Sequence, residues 1–227
     1  DRVVGMKILN LLIIAALFSS IACKKEEFVG KEQNSRISSN DQKDESCTQI
    51  APTQNSFYSC DGKIFDATGS EFVHRGVNMP LAYFKNESNA DIEKVVKAGF
   101  NSVRVLWCAD TLHSGGRCDD KDMHKISDLD EYLTKLKNNN LVSMLNLQNA
   151  TGRDDVYSLE KIVDYLIRDD IKAVLNKHKN SLQINIANEW HGTWANRSQG
   201  GKKWYDAYKS QLARLRSAGL EHQFVID

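Results

Sequence analysis

Hydrophobic positions fall into three regimes along the chain. From Ile8 to Ala22 they form a single apolar run broken only by Asn10, Ser19 and Ser20. From Lys24 to about Ser46 they almost vanish among Lys, Glu, Asn, Ser, Asp and Gln. From Phe57 onward, short apolar segments alternate with stretches whose apolar residues recur every three or four positions. Five segments rich in β-formers, Phe72 to Asn78, Ser102 to Trp107, Leu141 to Leu147, Leu182 to Ala187 and Phe224 to Ile226, are nearly continuous apolar runs. That is the pattern of strands buried on both faces. Phe57 to Phe72 holds two shorter apolar segments around the turn-like Cys60-Asp61-Gly62-Lys63 and Asp66-Ala67-Thr68-Gly69, which predicts a hairpin leading into the domain.

The stretches between the strands predict helices. Asn89 caps Ala90 to Ala98, with Ile92, Val95 and Val96 on one face and Gly99 as the stop. Ser127 or Asp128 opens a second helix with Leu129, Tyr132, Leu133 and Leu136 at helical spacing. Ser158 begins a longer third region carrying Ile162, Val163, Leu166 and Ile167. The fourth, around Trp204 to Ala218, carries Trp204, Tyr208, Leu212 and Leu215 and ends at Gly219. Strand ends therefore recur about every 30 to 40 residues, the period of a βα unit, whose right-handed repetition builds either a doubly wound sheet or a (β/α)8 barrel. Val77-Asn78-Met79-Pro80 after the first strand offers no GxGxxG phosphate loop, which counts against a dinucleotide fold. Polar residues gather instead near the C-terminal ends of several strands: Asn78, Arg104, Gln148 with Asn149, and Asn188 with Glu189. In a barrel this end is the catalytic rim.

The first regime predicts a targeting segment. Met6-Lys7 precedes an apolar run too short to span a bilayer comfortably, with small residues before its end, as in a secretory signal. Asp1 to Gly5 have no role in such a signal, which points to translation upstream of the true start. Ser20-Ile21-Ala22-Cys23 resembles a bacterial lipobox, with Ser where Leu is usual. Residues 1–22 are thus expected to be a signal and 23–56 a polar tether lipid-anchored at Cys23, on an exported lipoprotein of the cell envelope or surface; an ordinary secretory signal is the alternative. Without Cys23, four cysteines remain, Cys47, Cys60, Cys108 and Cys118, an even number in an exported chain. The expected pairs are Cys47 with Cys60 and Cys108 with Cys118, the two other connectivities staying open. With 30 basic and 30 acidic residues, scattered rather than striped, a nucleic-acid partner is not expected. The six histidines show no metal-ligand spacing, so neither a metal nor a cofactor is expected.

The fourth strand runs into Asn188-Glu189-Trp190-His191-Gly192-Thr193-Trp194. Together with Arg75-Gly76-Val77-Asn78, Asn101-Ser102-Val103-Arg104 and Ala150-Thr151-Gly152-Arg153-Asp154-Asp155, it stands in the order found in glycoside hydrolase family 5. The motifs Ala150 to Asp155 and Asn188 to Trp194 are most similar to those of its bacterial endo-β-1,4-mannanases, and the resemblance covers about Phe57 to Asp227. It implies a (β/α)8 TIM barrel and retaining hydrolysis by two carboxylates, one protonating the glycosidic oxygen and one attacking the anomeric carbon. By the same resemblance Glu189 is the acid/base, Asn188 binds the sugar 2-hydroxyl, and Arg104 sits beside the nucleophile and keeps it ionised.

Relatives commonly have His-Asp where this chain has Gln148-Asn149, and His in place of Met79, which bears on sugar preference. Asn78, Gln148 and Asn149 are candidate sugar contacts. Tyr83, Trp107, Trp190 and Trp194 are candidate stacking platforms for pyranose rings, core packing being the alternative for each. The expected substrate is a β-1,4-linked polysaccharide, mannan first and cellulose second, with a non-catalytic glycan-binding lipoprotein as the competing class. A typical barrel needs about 250 residues, and about five of eight βα units are accounted for by Asp227. The family's nucleophile lies on the seventh strand, and Asp154, Asp155 and Asp227 lie in the wrong motifs to replace it. The 227-residue chain is therefore expected to be an inactive piece of an enzyme that is a monomer when full length.

Overall fold

A computed structural model describes residues 55–82, 89–112, 118, 124–191 and 197–227. The signal, most of the tether, Cys23, Cys47, Tyr83 and Trp194 lie outside these residues. Within them the chain forms β1 (Tyr58–Cys60), β2 (Lys63–Phe65), β3 (Gly76–Met79), α1 (Asn89–Lys97), β4 (Ser102–Trp107), α2 (Ile126–Asn138), β5 (Val142–Leu147), α3 (Val156–Leu166), α4 (Asp169–Lys177), β6 (Leu182–Asn185), α5 (Arg197–Ser217) and β7 (Phe224–Val225). β1 and β2 pair antiparallel as the predicted hairpin. Asp61 and Gly62 both have positive φ, 47° and 71°, the demand of a tight two-residue hairpin turn that Asp-Gly meets.

The remaining five strands pair in parallel in the order β3-β4-β5-β6-β7. This order separates the two architectures left open by periodicity. A doubly wound sheet reverses its strand order at a switch point, whereas a barrel adds each strand beside the one before it. No reversal occurs among the described strands, and the array is part of a (β/α)8 barrel.

Three of the helices end in the same way, each just before a strand. Gly99 and Gly219 at φ 81° and 84°, and Asn140 at φ 57°, occupy the left-handed position after the helix. The next residue's N–H then reaches back five residues: Phe100 to Val95 O, Leu141 to Leu136 O, and Leu220 to Leu215 O. This cap satisfies carbonyls that the helix leaves open, and the residue that follows it is exposed in one case, Phe100. Leu141 and Leu220 are buried. One local code thus serves as the helix-to-strand connection three times.

Strand residues sort by alternation. Val103, Val105, Trp107, Leu145, Leu147, Leu182, Ile184 and Ile186 share one core with Leu129, Leu133, Leu136, Leu159, Ile162, Val163 and Leu175 of the helices. Burying each such side chain contributes about 1.5–3 kcal/mol. The opposite positions are mixed: Asn146, Gln183 and Asn185 are fully buried polar residues, with Leu106, Val142 and Met144 in the same phase. Burial on both faces is as expected for β6, but the interior face is not wholly apolar. It carries a hydrogen-bonded polar layer, because Asn146 meets Asn185 and Gln183 meets Gln223 across neighbouring chain segments.

Other boundaries also shift. The first parallel strand starts at Gly76, not Phe72. Phe72 N–H bonds Ile64 O of the hairpin, and the Asn101 side chain accepts from Arg75 N and donates to Val73 O. The backbone of 72–75 is thus claimed by the hairpin and by one amide side chain. Gly76 faces Ser102 so closely that an added Cβ would lie 2.8 Å from its backbone oxygen, which brings β3 and β4 into register. The third helical region is two helices, because Arg168 takes an extended ψ of 143° while its guanidinium bonds Asp170 and Asp110. Asp155 caps α3 by accepting from Ser158 N, three residues before the expected start. α2 opens at Ile126, with the Asp128 carboxylate accepting from the Lys125 N–H, and α5 begins two turns before Trp204.

Buried His222, just before β7, donates from Nε2 to Leu175 O at 2.9 Å, while its Nδ1 is buried without a partner. Burial pushes its imidazole down from 6.5 to about 4; the Leu175 bond opposes this, and Lys179 and Arg216 add to it. The unfolded chain binds the proton below 6.5 and the fold refuses it until about 4, so stability falls as pH drops through this window. Chemical denaturation at pH 7.5 and pH 5 should show a loss that His222→Gln reduces by about 2 kcal/mol. His74 and His178, also lowered by burial, should account for part of the loss that remains.

Candidate active site

Arg104 is the third residue of β4 and projects to the polar interior, opposite in phase to Val103 and Val105. Its side chain is 28% exposed. Nη2 donates to Asn185 Oδ1 at 2.9 Å, to Asn188 Oδ1 at 3.0 Å and to Asp227 Oδ2 at 3.3 Å. Asn185 passes the network on: its Nδ2 donates to Val225 O and Asp227 Oδ1, and its Oδ1 also accepts from Asn146 Nδ2. Gln148 donates to Asn146 Oδ1. The cation therefore stands at the meeting point of β4, β5, β6 and the segment after β7.

Asn188 and Glu189 leave β6 beside this cluster. Asn188 N–H bonds Leu147 O, so the turn stays attached to β5. Its amide is oriented at both ends, accepting from Arg104 and donating to Thr151 Oγ1 at 3.0 Å. Glu189 follows in the left-handed region at φ 45°, and His191 does the same at φ 63°. Such non-glycine geometry costs on the order of 1 kcal/mol or more and persists only where surrounding bonds impose it. Those bonds come from the other flagged motif: Gly152 N–H to Glu189 O, and His191 N–H to Arg153 O at 2.7 Å. Ala150-Thr151-Gly152-Arg153 and Asn188-Glu189-Trp190-His191 are thus one docked pair of loops. The twist leaves the Glu189 side chain exposed, while Asn188 faces the cation and Trp190 is buried.

The aromatic candidates that are described behave as core. Trp107 is 1% exposed, donates to Tyr165 Oη at 2.9 Å and stacks on His124. Trp190 is 1% exposed, donates to Asp155 O and Ser158 Oγ and meets Tyr208 edge to face. Their ring faces are occupied by protein, and neither offers a free stacking surface. Asn149, also fully buried, differs from the expected sugar contact. Its Oδ1 accepts from Ala109 N, and its Nδ2 donates to the carbonyls of Ala109 and Leu112. It clamps the loop after β4, which the Cys108–Cys118 disulfide closes as expected. Cys60 is also disulfide-bonded; Cys47 lies outside the described residues. Gln148 is buried within the interior network. Asn78, by contrast, is exposed and in register with Arg104. With Arg104, Ser102, Met144 and His74 it lines a cavity of about 380 Å³. Glu189 is not among its lining residues, so that cavity is not by itself the reaction centre. Among the described residues no cluster of three or more His, Cys, Asp or Glu is placed to hold a metal.

Asn146, Asn185 and Asp227 were missed as site residues. The available signal was the repeated polar residue at alternate positions of otherwise apolar strands, Asn146 with Gln148 and Gln183 with Asn185.

An arginine that holds an asparagine, followed by an exposed glutamate at the strand ends of a barrel, can orient a sugar and protonate a leaving oxygen. Residues 65–227 match the family model described as Cellulase (glycosyl hydrolase family 5). The chain belongs to glycosyl hydrolase family 5. It is 33% identical over 171 residues to a mannan endo-1,4-beta-mannosidase of Salipaludibacillus agaradhaerens, covering 75% of this chain and 51% of that protein. It is 28% identical to another from Cellvibrio japonicus, covering 75% and 37%. Among solved structures, a beta-mannanase from Thermomonospora fusca superposes with a TM-score of 0.62 at 29% identity, over 76% of this chain and 53% of that one. The chain thus spans about half or less of the length of these family 5 relatives.

Asn149 gives a direct test of the rim assignment. Asn149→Asp keeps the acceptor for Ala109 N–H but turns a carboxylate toward two buried carbonyls, leaving both without a donor. Stability at pH 7 should drop by at least about 2 kcal/mol in chemical denaturation. The penalty should shrink toward pH 4, where a protonated carboxyl regains one donor.

Proposed function

We propose that this family 5 protein is a retaining endo-glycosidase of β-1,4-linked polysaccharide, with mannan as the preferred substrate. The observation that carries the proposal is the Arg104–Asn188–Glu189 arrangement: an exposed carboxyl fixed by strained backbone beside an asparagine whose amide is oriented by a cation. In this reading Glu189 protonates the glycosidic oxygen as the leaving sugar departs and afterwards activates water. Asn188 meets the 2-hydroxyl of the sugar undergoing reaction, a contact that strengthens as positive charge develops on the ring. Arg104 stabilises the carboxylate that attacks the anomeric carbon. That second carboxylate is matched by no residue of the chain, so the chemistry is assigned to the full-length gene product, and the 227 residues alone are proposed to be inactive. Mannan is favoured over cellulose by the two mannosidase relatives and by the T. fusca enzyme, which has been solved with mannohexaose and mannotriose.

Turnover of mannan and of carboxymethyl-cellulose by the full-length protein, with a glycan pull-down in parallel, separates the readings. Faster release of reducing ends from mannan supports the proposal. Preferential cleavage of the glucan points to a cellulase, and binding without turnover of either points to a glycan-binding protein. Glu189→Gln preserves shape but removes the transferable proton, so mannan hydrolysis should fall by about 10²-fold or more. An aryl β-mannoside with an activated leaving group should lose far less in its first step, because its leaving group needs little protonation.

We further propose that the protein is exported and held at the cell envelope by acylation of Cys23. Radiolabelled palmitate fed to expressing bacteria should enter the wild-type protein and not Cys23→Ser, which should move to the soluble fraction. Equal labelling of both would remove the anchor.

A further inference from the structure

Asp227 is drawn into the site from three directions. Its Oδ2 accepts from the Glu189 backbone N–H at 3.0 Å and from Arg104 at 3.3 Å, and its Oδ1 accepts from Asn185 at 3.2 Å. Its main-chain oxygen accepts from Trp204 Nε1 at 2.8 Å. Trp204 meets Tyr208, which meets Trp190, so the aromatic group behind the Glu189 loop also fixes Asp227. Burial pushes the Tyr208 phenol upward, and the Asp227 charge acts in the same direction, in keeping with a carboxylate facing that group.

The Glu189 peptide needs such support. Its left-handed φ is held on the carbonyl side by the 3.3 Å bond from Gly152 N–H, which is at the long end of the range. On the amide side the Asp227 carboxylate is the acceptor, and a hydrogen bond to an ionised oxygen is roughly twice as strong as one between neutral groups. Arg104, in contrast, has Asn185 and Asn188 as partners besides Asp227.

We propose that Asp227 is a positioning residue for Glu189: its carboxylate locks the strained peptide that aims the proton donor, and couples that peptide to the arginine. This rests on the assignment of Glu189 as acid/base. The carboxylate touches the backbone of the donor and acts through it, which separates this role from that of a nucleophile.

The test uses the full-length protein and two substrates, mannan and a dinitrophenyl β-mannoside, with wild type, Asp227→Ala, Asp227→Asn and Glu189→Gln measured side by side. Asp227→Ala should lower kcat on mannan about 30- to 100-fold, the scale expected when a catalytic group is displaced by about an ångström. Its KM should stay within about threefold, and kcat/KM on the activated mannoside should fall by less than about fivefold, as little protonation is needed there. Asp227→Asn retains an oxygen for the Glu189 N–H and should lie between wild type and Ala. It carries the comparison if the Ala variant fails to fold by near-ultraviolet circular dichroism. Unchanged mannan kinetics in both Asp227 variants, beside an impaired Glu189→Gln, would overturn the positioning role alone. Equal loss on both substrates would overturn it in favour of a nucleophilic or purely structural role. A fully active Glu189→Gln would overturn the acid/base reading and this inference with it.

Discussion

A single cation inside the strand array organises the rest of the site. An arginine cannot shed its charge, so a guanidinium that is mostly withdrawn from water must be met by oxygens. Arg104 is met by Asn185 on β6, Asn188 just past it and Asp227 just past β7. Each of these needs further partners of its own, which makes Asn146, Gln148 and Thr151 part of the same layer. The polar residues at this end of the strands are therefore the solvation shell of one charge.

The geometry of Glu189 follows from that layer. Asn188 must turn in toward the cation and Trp190 must reach the core, where its indole N–H finds Asp155 O and Ser158 Oγ. Glu189, between two inward-facing neighbours, is forced outward, and the chain meets this demand with two left-handed residues in three positions. The loop 150–153 supplies the hydrogen bonds that make the strained path tolerable. Strain of this kind holds the Glu189 side chain in one direction, at a cost offset by the core behind the loop.

Much of this was legible in the residues. The five strands and the hairpin were visible because apolar runs and turn residues report local geometry, and β4 was placed to the residue. Helix stops at Gly99 and Gly219 were readable because a left-handed cap needs glycine more than it needs any tertiary contact. The motifs around Arg104 and Glu189 were readable as a collinear set. What misled was polarity at strand positions. Gln183, Asn185 and Asn146 were absorbed into apolar runs, Asn149 was offered to sugar, and Trp107 and Trp190 were left between sugar and core, because one sequence cannot say which partner an amide or an indole will find. Asn149 spends its donors on Ala109 and Leu112, residues about 40 positions earlier.

By itself the sequence determined the period of the βα units, the two glycine caps that join helix to strand and the hairpin turn, since each depends on neighbours a few positions apart. Only the tertiary structure decided that the strands run in unbroken order, that a polar layer lines their interior, and that Asp227 stands against Glu189 and Arg104. These depend on groups separated by 38 and 123 positions, and a hydrogen bond over such a distance exists only once the whole array has placed both ends.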